Sequence, residues 1–177
     1  MSIFLTSDTH FHHRGILKHR PFETVEEMNE TIVKNWNSVV RPQDTVYHLG
    51  DVVVWGTVPE EYDILKRLNG KIHLILGNHD KLTRMADRDG SKAAMVGRKR
   101  YESVHDLLTI KHDNHKVILC HYPLAVWDCM HHGSVQLHGH CHTNYTPPSG
   151  YRQEDVGVDG HNFTPENIEV IFARLGL

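Results

Sequence analysis

Five short apolar runs constrain what this chain can fold into, because each of them stops abruptly at polar residues. The runs cover residues 2–6, 45–49, 71–76, 116–120 and 135–137. Runs of this length, bounded by turn residues, are typical of strands that are buried on both faces. The third run leads into Asn78, His79 and Asp80, so a buried strand ends in an amide, an imidazole and a carboxylate. A plain turn would account for one such ending, but it does not account for polar endings after all five runs.

Helical patterns separate the earlier runs and close the chain. They cover residues 24–40, 57–70 and 164 to the C-terminus, and they open with Thr24, Thr57 and Thr164 at the N-cap position. The first places Met28, Ile32 and Trp36 on one face. The stretch KHDNHK predicts a hairpin turn between two later strands. Alternation of strands and helices favours an α/β fold, and taken alone it would favour a doubly wound sheet.

Length and charge limit the classes of protein to which the chain can belong. A chain of 177 residues without a linker or an internal repeat predicts a single domain over residues 1–177. Nineteen basic and 22 acidic side chains give a net charge of −3, which indicates neither a nucleic-acid surface nor a membrane surface. The N-terminus has the pattern of neither a signal peptide nor a membrane span, and the three cysteines form no CxxC pair. We therefore expect a cytoplasmic protein with no membrane partner.

The polar residues that follow the five runs include seven side chains of the kinds that bind metals. They are Asp8, His10, Asp51, Asn78, His121, His140 and His142. In open α/β sheets, ligands bind at the carboxyl ends of the strands, so residues from distant parts of the chain can meet there. Asp8 and His10 are two positions apart, as are His140 and His142. An extended backbone would point both members of such a pair to the same side.

The donor types indicate which ions a site of this kind would hold. Histidine, of which the chain has 17, is the commonest metal ligand. Imidazole, carboxylate and amide oxygen, without a set of thiolates, suit first-row transition ions better than structural zinc. Seven ligands are too many for one tetrahedral ion and suit two divalent ions that share a carboxylate. Manganese is the ion that we expect first, with iron, zinc, nickel or cobalt as alternatives.

The motifs that carry these residues resemble those of the calcineurin-like metallophosphoesterase superfamily. In chain order they read SDTHFHH, LGDV, LGNHD, CHYPL and HGHCH, and they extend from residue 7 to residue 142. The family pattern is D-x-H, GD, GNH[D/E], H and GHxH, and the chain fills every position of it. The stretch DVGVDG, residues 155–160, is similar to the tail of small bacterial and phage members.

The resemblance implies a fold, a division of the ligands and a reaction. The fold would be two packed mixed β-sheets flanked by helices, a metallophosphoesterase-type β-sandwich. One metal would take Asp8, His10 and His142, the other would take Asn78, His121 and His140, and Asp51 would bridge them. The reaction would be hydrolysis of phosphate monoesters or diesters by a metal-bound hydroxide, with a small phosphorylated or nucleotide-like substrate.

Further residues would act on the substrate. By the same resemblance, His79 would protonate the leaving oxygen or stabilise charge on the phosphate, and Asp80 would hold its imidazole and favour the protonated form. Four other side chains near the motifs are candidates for substrate contacts: His12, His13, Arg14 and His138. For these four, a solvated loop or a packing role is the alternative interpretation.

Two other functional classes are compatible with the same fold. A non-catalytic scaffold would have lost ligands or His79, whereas this chain retains all of them. A nuclease would act on nucleic acid, but the negative net charge and the lack of an added DNA-binding domain argue against long duplex partners. Short or cyclic nucleotides remain open as substrates.

A basic segment follows the third polar cluster directly. Residues 81–100 hold seven basic and two acidic side chains without a persistent apolar face, which predicts a surface loop. The segment is either a solvated charged face or a cationic flap that attracts an anionic substrate to the site.

Overall fold

The strands form two mixed sheets in the computed structural model, which describes residues 1–54, 58–81 and 101–177. In chain order they are β1 (Ile3–Thr6), β2 (Thr45–His48), β3 (Lys71–Ile75), β4 (Ser103–His105), β5 (Leu107–His112), β6 (His115–Cys120), β7 (Val135–His138), β8 (Gln153–Asp155) and β9 (Glu166–Asn167). The described helices are α1 (Val25–Val39), α2 (Val58–Leu65) and α3 (Ile168–Arg174), with short 3-10 turns at Arg14–His19, Met130–His132 and Val158–Gly160.

The order of the strands decides between the two expected architectures. The first sheet has the order β4-β3-β2-β1-β9, in which only β9 runs antiparallel to its neighbour. The second has the order β5-β6-β7-β8, in which β5 and β6 form an antiparallel hairpin and the other pairs are parallel. The two mixed sheets that the family resemblance implied are therefore confirmed, and the doubly wound sheet suggested by alternation alone is wrong.

Each central strand of the first sheet buries side chains on both of its faces, as its continuous apolar run predicts. In β1, Phe4 packs into a core with α1 and α2, while Leu5 packs into a second core between the sheets. Leu119 and Leu137 meet Leu5 in this second core from the other sheet. The first sheet is thus covered by helices on one side and by the second sheet on the other.

Helix α1 forms as its sequence pattern predicts. The Thr24 hydroxyl oxygen accepts a hydrogen bond from the Glu27 amide at 3.1 Å, which satisfies one of the free donors of the first turn. Met28, Ile32 and Trp36 have no exposed surface, which confirms the predicted apolar face. Burial of this face fixes the helix on the sheet beside the loop that follows β1.

The second predicted helix is shorter than its pattern suggested, and the hairpin is where it was expected. Helix α2 ends at Leu65, because the next amides turn tighter and bond three residues back, as Leu68 does to Leu65. Thr57, its expected cap, lies outside the described residues. In the β5–β6 turn, Asp113 and Asn114 have φ of 43° and 65°, the left-handed values that a type I′ hairpin requires.

The start of the C-terminal helix was predicted wrongly. Helix α3 begins at Ile168 with Asn167 as its cap, and the Thr164 hydroxyl instead donates to the Asn162 carbonyl. The reason is tertiary: Glu166 and Asn167 pair with β1 as the edge strand β9, which delays the helix by one turn. The expected face is still buried, with Ile168, Ile171 and Phe172 in the core between the sheets.

Two remaining expectations concern the surface of the protein. In the part of the chain that the structure describes, none of the helices has the length and apolar character needed to cross a bilayer. Of the basic segment, only Lys81 is described and it is exposed, so the expected surface loop at 82–100 lies outside the described residues.

Candidate metal centre

The seven predicted ligands follow β1, β2, β3, β6 and β7, and the fold brings them together at one edge of the two sheets. Three of them, Asp8, His10 and His142, offer donor atoms that lie within 4.8 Å of one another. A second set of the same tightness shares Asp8 and adds Asp51 and His121. Residues as far apart as 8 and 142 therefore face one another across a few ångströms.

The first group centres on the carboxylate of Asp8. Its Oδ1 atom lies 3.7 Å from His10 Nε2 and 3.8 Å from His142 Nε2. Its Oδ2 atom accepts hydrogen bonds from the Ser7 hydroxyl at 2.6 Å and from the His140 amide at 2.9 Å. One oxygen is thus held by protein donors while the other faces two imidazoles.

Asp51 lies between the two groups. Its Oδ2 atom is 3.6 Å from His10 Nε2 and 3.6 Å from His121 Nε2. On the far side, His121 Nε2 is 3.0 Å from the Asn78 side-chain oxygen, and its ring lies 5.1 Å from that of His140. A carboxylate in this position can reach both groups of donors at once.

Several of the donor atoms lack hydrogen-bond partners in the part of the protein that the structure describes and are available to bind metal ions. Asp8 Oδ1 and His10 Nε2 are buried and have no hydrogen-bond partner, which is costly unless something else binds them. In His121 and His142 the opposite ring nitrogen is engaged, by the Leu49 carbonyl at 2.7 Å and by the Asp159 carboxylate at 2.8 Å. An imidazole that donates through Nδ1 keeps the lone pair of Nε2 for a metal.

The electrostatics of Asp8 keep its carboxylate charged. Burial opposes ionisation, but the contact with His10 and the nearby imidazoles of His121 and His142 hold its pKa well below the usual range. Hydrogen bonding to Asp159 raises the pKa of His142 against the opposing effect of burial. The site therefore presents a permanent negative charge beside polarised imidazoles, as a cation requires.

The backbone that presents these residues is not the extended chain that their spacing suggested. Five of the seven proposed ligands have φ between 47° and 70°: Asp8, His10, Asp51, His140 and His142. The expectation that each i, i+2 pair has an extended backbone is wrong, because both members of each pair have left-handed φ values. Left-handed residues turn the chain sharply after each strand and thereby direct alternate side chains to the same centre.

Two glycines in the motifs allow this close approach. A Cβ atom at Gly77 would overlap the Asp51 carboxylate, and one at Gly139 would overlap the side chains of Ser7 and Asp8. The glycines of LGNHD and HGHCH are therefore positions where one loop touches the ligand of another.

Asp80 does not hold the imidazole of His79, and this part of the prediction is corrected. Its buried carboxylate accepts hydrogen bonds from three backbone amides, those of Asp51 (2.8 Å), Val52 (2.9 Å) and Gly77 (2.8 Å). Burial raises the pKa of Asp80 although these donors oppose the shift. Asp80 thus joins the loop after β2 to the loop after β3 and acts on the position of Asp51.

His79 stands at the open side of the centre. Its amide donates to Asp51 Oδ1 at 2.8 Å, and its Nε2 lies 4.0 Å from Asp51 Oδ2. The side chain is 36% exposed, whereas that of Asp51 is 2% exposed. The ring is therefore next to the proposed ligands and accessible to a molecule from solvent.

The four candidate substrate contacts separate into different environments. His13 lies over His10, with their Nδ1 atoms 3.0 Å apart, and burial together with His10 and His79 lowers its pKa to about 4. His12 instead turns to α1, where its Nδ1 atom is 3.3 Å from the Asn29 amide nitrogen. Arg14 is exposed at the start of the 3-10 turn Arg14–His19. His138 has no exposed surface, so its prediction as a substrate contact is wrong for this structure.

Sequence reasoning missed two residues that contact the centre, Arg20 and Asp159. The Arg20 guanidinium donates to both oxygens of Asp159, at 2.7 and 2.8 Å, and to the carbonyls of Asp8 and Thr9. Asp159 lies in the stretch DVGVDG, whose similarity to small members of the family did not indicate a role for this carboxylate. Arg20 had no local signal, because its partners lie elsewhere in the chain.

A cleft of about 690 Å³ opens beside His142. Apolar side chains from Ile16, Pro21 and Phe163 line it together with His19, Asn144 and Asp159. Phe163 is held by an edge-on contact with Phe22 and by the Arg20 guanidinium 5.5 Å from its ring. The cleft thus joins the candidate metal centre to a surface of mixed polarity.

Comparisons with known proteins place this geometry in context. A family model described as calcineurin-like phosphoesterase matches residues 1–171. An uncharacterized protein of Methanocaldococcus jannaschii, MJ1445, is 34% identical over 177 residues, which cover 96% of this chain and 88% of the relative. The Gene 66 protein of Mycobacterium phage L5 is 29% identical over 178 residues, which cover 88% of this chain and 86% of the relative.

A solved structure shares the fold. The crystal structure of AQ665, a protein of unknown function from Aquifex aeolicus, superimposes with a TM-score of 0.75. The match covers 98% of each chain at 23% sequence identity. This likeness shows that the arrangement of strands and helices recurs over the whole length of both chains.

Proposed function

Because the chain belongs to the calcineurin-like phosphoesterase family, we propose that it hydrolyses phosphate esters with two divalent metal ions. The observation that carries the proposal is the position of Asp51, whose Oδ2 atom lies 3.6 Å from an imidazole of each donor group. A shared carboxylate between two sets of nitrogen and oxygen donors is what a dinuclear centre needs.

The ligands divide as the family motifs indicate. Asp8, His10 and His142 would hold one ion; Asn78, His121 and His140 would hold the other; Asp51 would contact both. The donor set favours manganese, with iron, zinc, nickel and cobalt as alternatives. When bound, the ions would lower the pKa of the attacking water and neutralise charge on the phosphate.

His79 would act on the leaving group. The hydrogen bond from its backbone amide to Asp51 Oδ1 fixes the backbone, while the exposed ring can approach the ester oxygen. A proton held on this ring would pass to the leaving oxygen as the bond to phosphorus breaks. His13, which stacks on His10 with ring centroids 5.2 Å apart, would line the same opening.

The cleft beside His142 supports a small substrate. Its volume of about 690 Å³ lies within the range of small-molecule sites, roughly 300–1,000 Å³. Among its described lining residues there is no lysine or arginine, and the carboxylate of Asp159 is already paired with Arg20. These features favour an uncharged organic group on the ester over a chain of further phosphates.

Metal analysis and a substrate screen test the proposal together. Protein loaded with Mn²⁺ should contain two ions per chain, and Asp51→Asn should weaken the binding of both. The loaded protein should hydrolyse chromogenic monoesters or diesters, and nucleotides and short oligonucleotides in the same screen would reveal a nuclease. One tightly bound ion in fully loaded protein, or no turnover of any ester, would refute the assignment.

A further inference from the structure

Arg20 and Asp159 form a buried clamp against the first group of proposed ligands. The guanidinium donates from Nε and Nη2 to the two Asp159 oxygens, at 2.7 and 2.8 Å, so the ion pair is bidentate. The Arg20 side chain has no exposed surface, and that of Asp159 is 17% exposed. A buried pair of this geometry is held rigidly, because both hydrogen bonds must break together.

One end of the clamp is fixed to the loop that carries Asp8. Arg20 Nη2 donates to the Asp8 carbonyl at 2.6 Å, and Nη1 donates to the Thr9 carbonyl at 3.0 Å. Asp8 has a left-handed backbone, with φ of 56°, which is unfavourable for a residue with a side chain. The two hydrogen bonds hold the loop in this conformation.

The other end fixes an imidazole. Asp159 Oδ2 accepts from Arg20 and lies 2.8 Å from His142 Nδ1, so one carboxylate joins the guanidinium to the ring. Asp8 and His142 come from loops 134 positions apart in the chain, yet a single chain of hydrogen bonds connects them. Their separation and the direction of the ring therefore depend on the same two side chains.

We propose that Arg20 and Asp159 are positioning residues that set the geometry of the ion held by Asp8, His10 and His142. The inference rests on the proposed function for the identity of that ion site. Neither residue ligates the ion. Lysine in place of Arg20 retains the charge, but it lacks the planar fork that can bond the carboxylate and the two carbonyls at once.

Titration of the metal-free protein with Mn²⁺ alone tests the clamp. The wild type should bind two ions, and Asp159→Asn should weaken one of them by about 10- to 100-fold, the usual effect of losing a residue that orients a ligand. Arg20→Lys should weaken the same ion. The double variant should lose no more than the larger single loss, because both residues act through one chain of contacts.

A matched pair on the surface serves as the control. Arg67 donates to both oxygens of Glu30, at 2.7 and 2.6 Å, but this bidentate pair is exposed and does not contact the proposed ligands. Arg67→Lys should leave both Mn²⁺ affinities unchanged. Urea unfolding of each metal-free variant establishes that it is folded. If Arg20→Lys does not fold, Asp159→Asn decides alone, since asparagine has the size of aspartate and the site is partly exposed.

Two results would overturn the inference. One is an Asp159→Asn protein that binds two Mn²⁺ ions with affinities within about threefold of the wild type. The other is an equal loss in Arg67→Lys, which would mean that any bidentate pair has this effect. Turnover of an ester does not enter the measurement. A wild type that binds two ions but hydrolyses nothing would contradict the proposed function and leave the clamp intact.

Discussion

Replacing Asp80 with alanine should destabilise the protein strongly. The carboxylate accepts from three backbone amides at 2.8 to 2.9 Å and is buried, so the replacement removes the oxygen atoms to which these amides donate. An unsatisfied buried donor costs about 1–3 kcal/mol, and water that enters the vacated space recovers part of this. We expect the free energy of unfolding to fall by roughly 3–5 kcal/mol, a large part of the 5–15 kcal/mol typical of a domain.

Urea unfolding of the metal-free protein measures this loss directly. The midpoint should fall while the slope stays unchanged, because the same surface is exposed on unfolding. Asp80→Asn should lose less than the alanine variant, since the amide oxygen can still accept. Asp63→Ala is the control: Asp63 pairs with Lys66 on the surface at 2.8 Å, and its loss should cost no more than about 0.5 kcal/mol.

The alternative role of Asp80, holding the His79 ring, makes a different prediction. An Asp80→Ala variant with an unchanged midpoint and unchanged Mn²⁺ affinity, but with a kcat as low as that of a His79 variant, would refute the reasoning. If Asp80 joins the two loops, stability and metal affinity should fall together. The reason is that Asp51 sits on one of the loops that Asp80 holds.

Three further perturbations follow from the structure. His79→Ala should lower kcat by about 10²–10⁴-fold at unchanged metal content, and a substrate with an activated leaving group should hide part of the defect in steady-state assays. Burial lowers the pKa of His48 to about 3, so the folded protein keeps this imidazole neutral while the unfolded chain protonates it below about pH 6.5. Stability is therefore lost as the pH falls below that value. Between pH 6.5 and 4.5 the wild type should lose about 2–3 kcal/mol more than His48→Gln in urea unfolding, and parallel curves would contradict this. Thr24→Ala removes the cap on the Glu27 amide and should cost about 1 kcal/mol by thermal unfolding, with no change in Mn²⁺ affinity.

Local patterns predicted the parts of the fold that depend on local contacts. The apolar face of α1 follows from a 3.6-residue period, and the β5–β6 turn follows from Asp113 and Asn114, which tolerate left-handed backbone. The start of α3 was missed, because the pairing of Glu166 and Asn167 with β1 overrides a good capping sequence at Thr164. Pairing between residues more than 160 positions apart leaves no trace in a short window.

In the candidate site, too, features that depend on local sequence could be predicted and features that depend on distant loops could not. The meeting of the seven proposed ligands at one edge could be predicted, because each of them follows an apolar run and fills a motif of the family. The roles of Asp80 and Arg20 could not, because each depends on which backbone groups a distant loop presents. Every residue has a backbone carbonyl, and nearly every residue has a backbone amide. The sequence therefore does not indicate which of these groups a side chain will bind.

The left-handed backbone at five of the proposed ligands has a consequence for how this family evolves. A residue with a side chain is destabilised by roughly 1–2 kcal/mol in that conformation, whereas glycine adopts it readily. Selection for the proposed hydrolysis would therefore oppose selection for stability at positions 8, 10, 51, 140 and 142. In a lineage that no longer needs the reaction, substitutions to glycine at these positions would be retained, because they relax the chain. Glycine at these positions would identify a descendant that retains the fold and has lost the proposed activity.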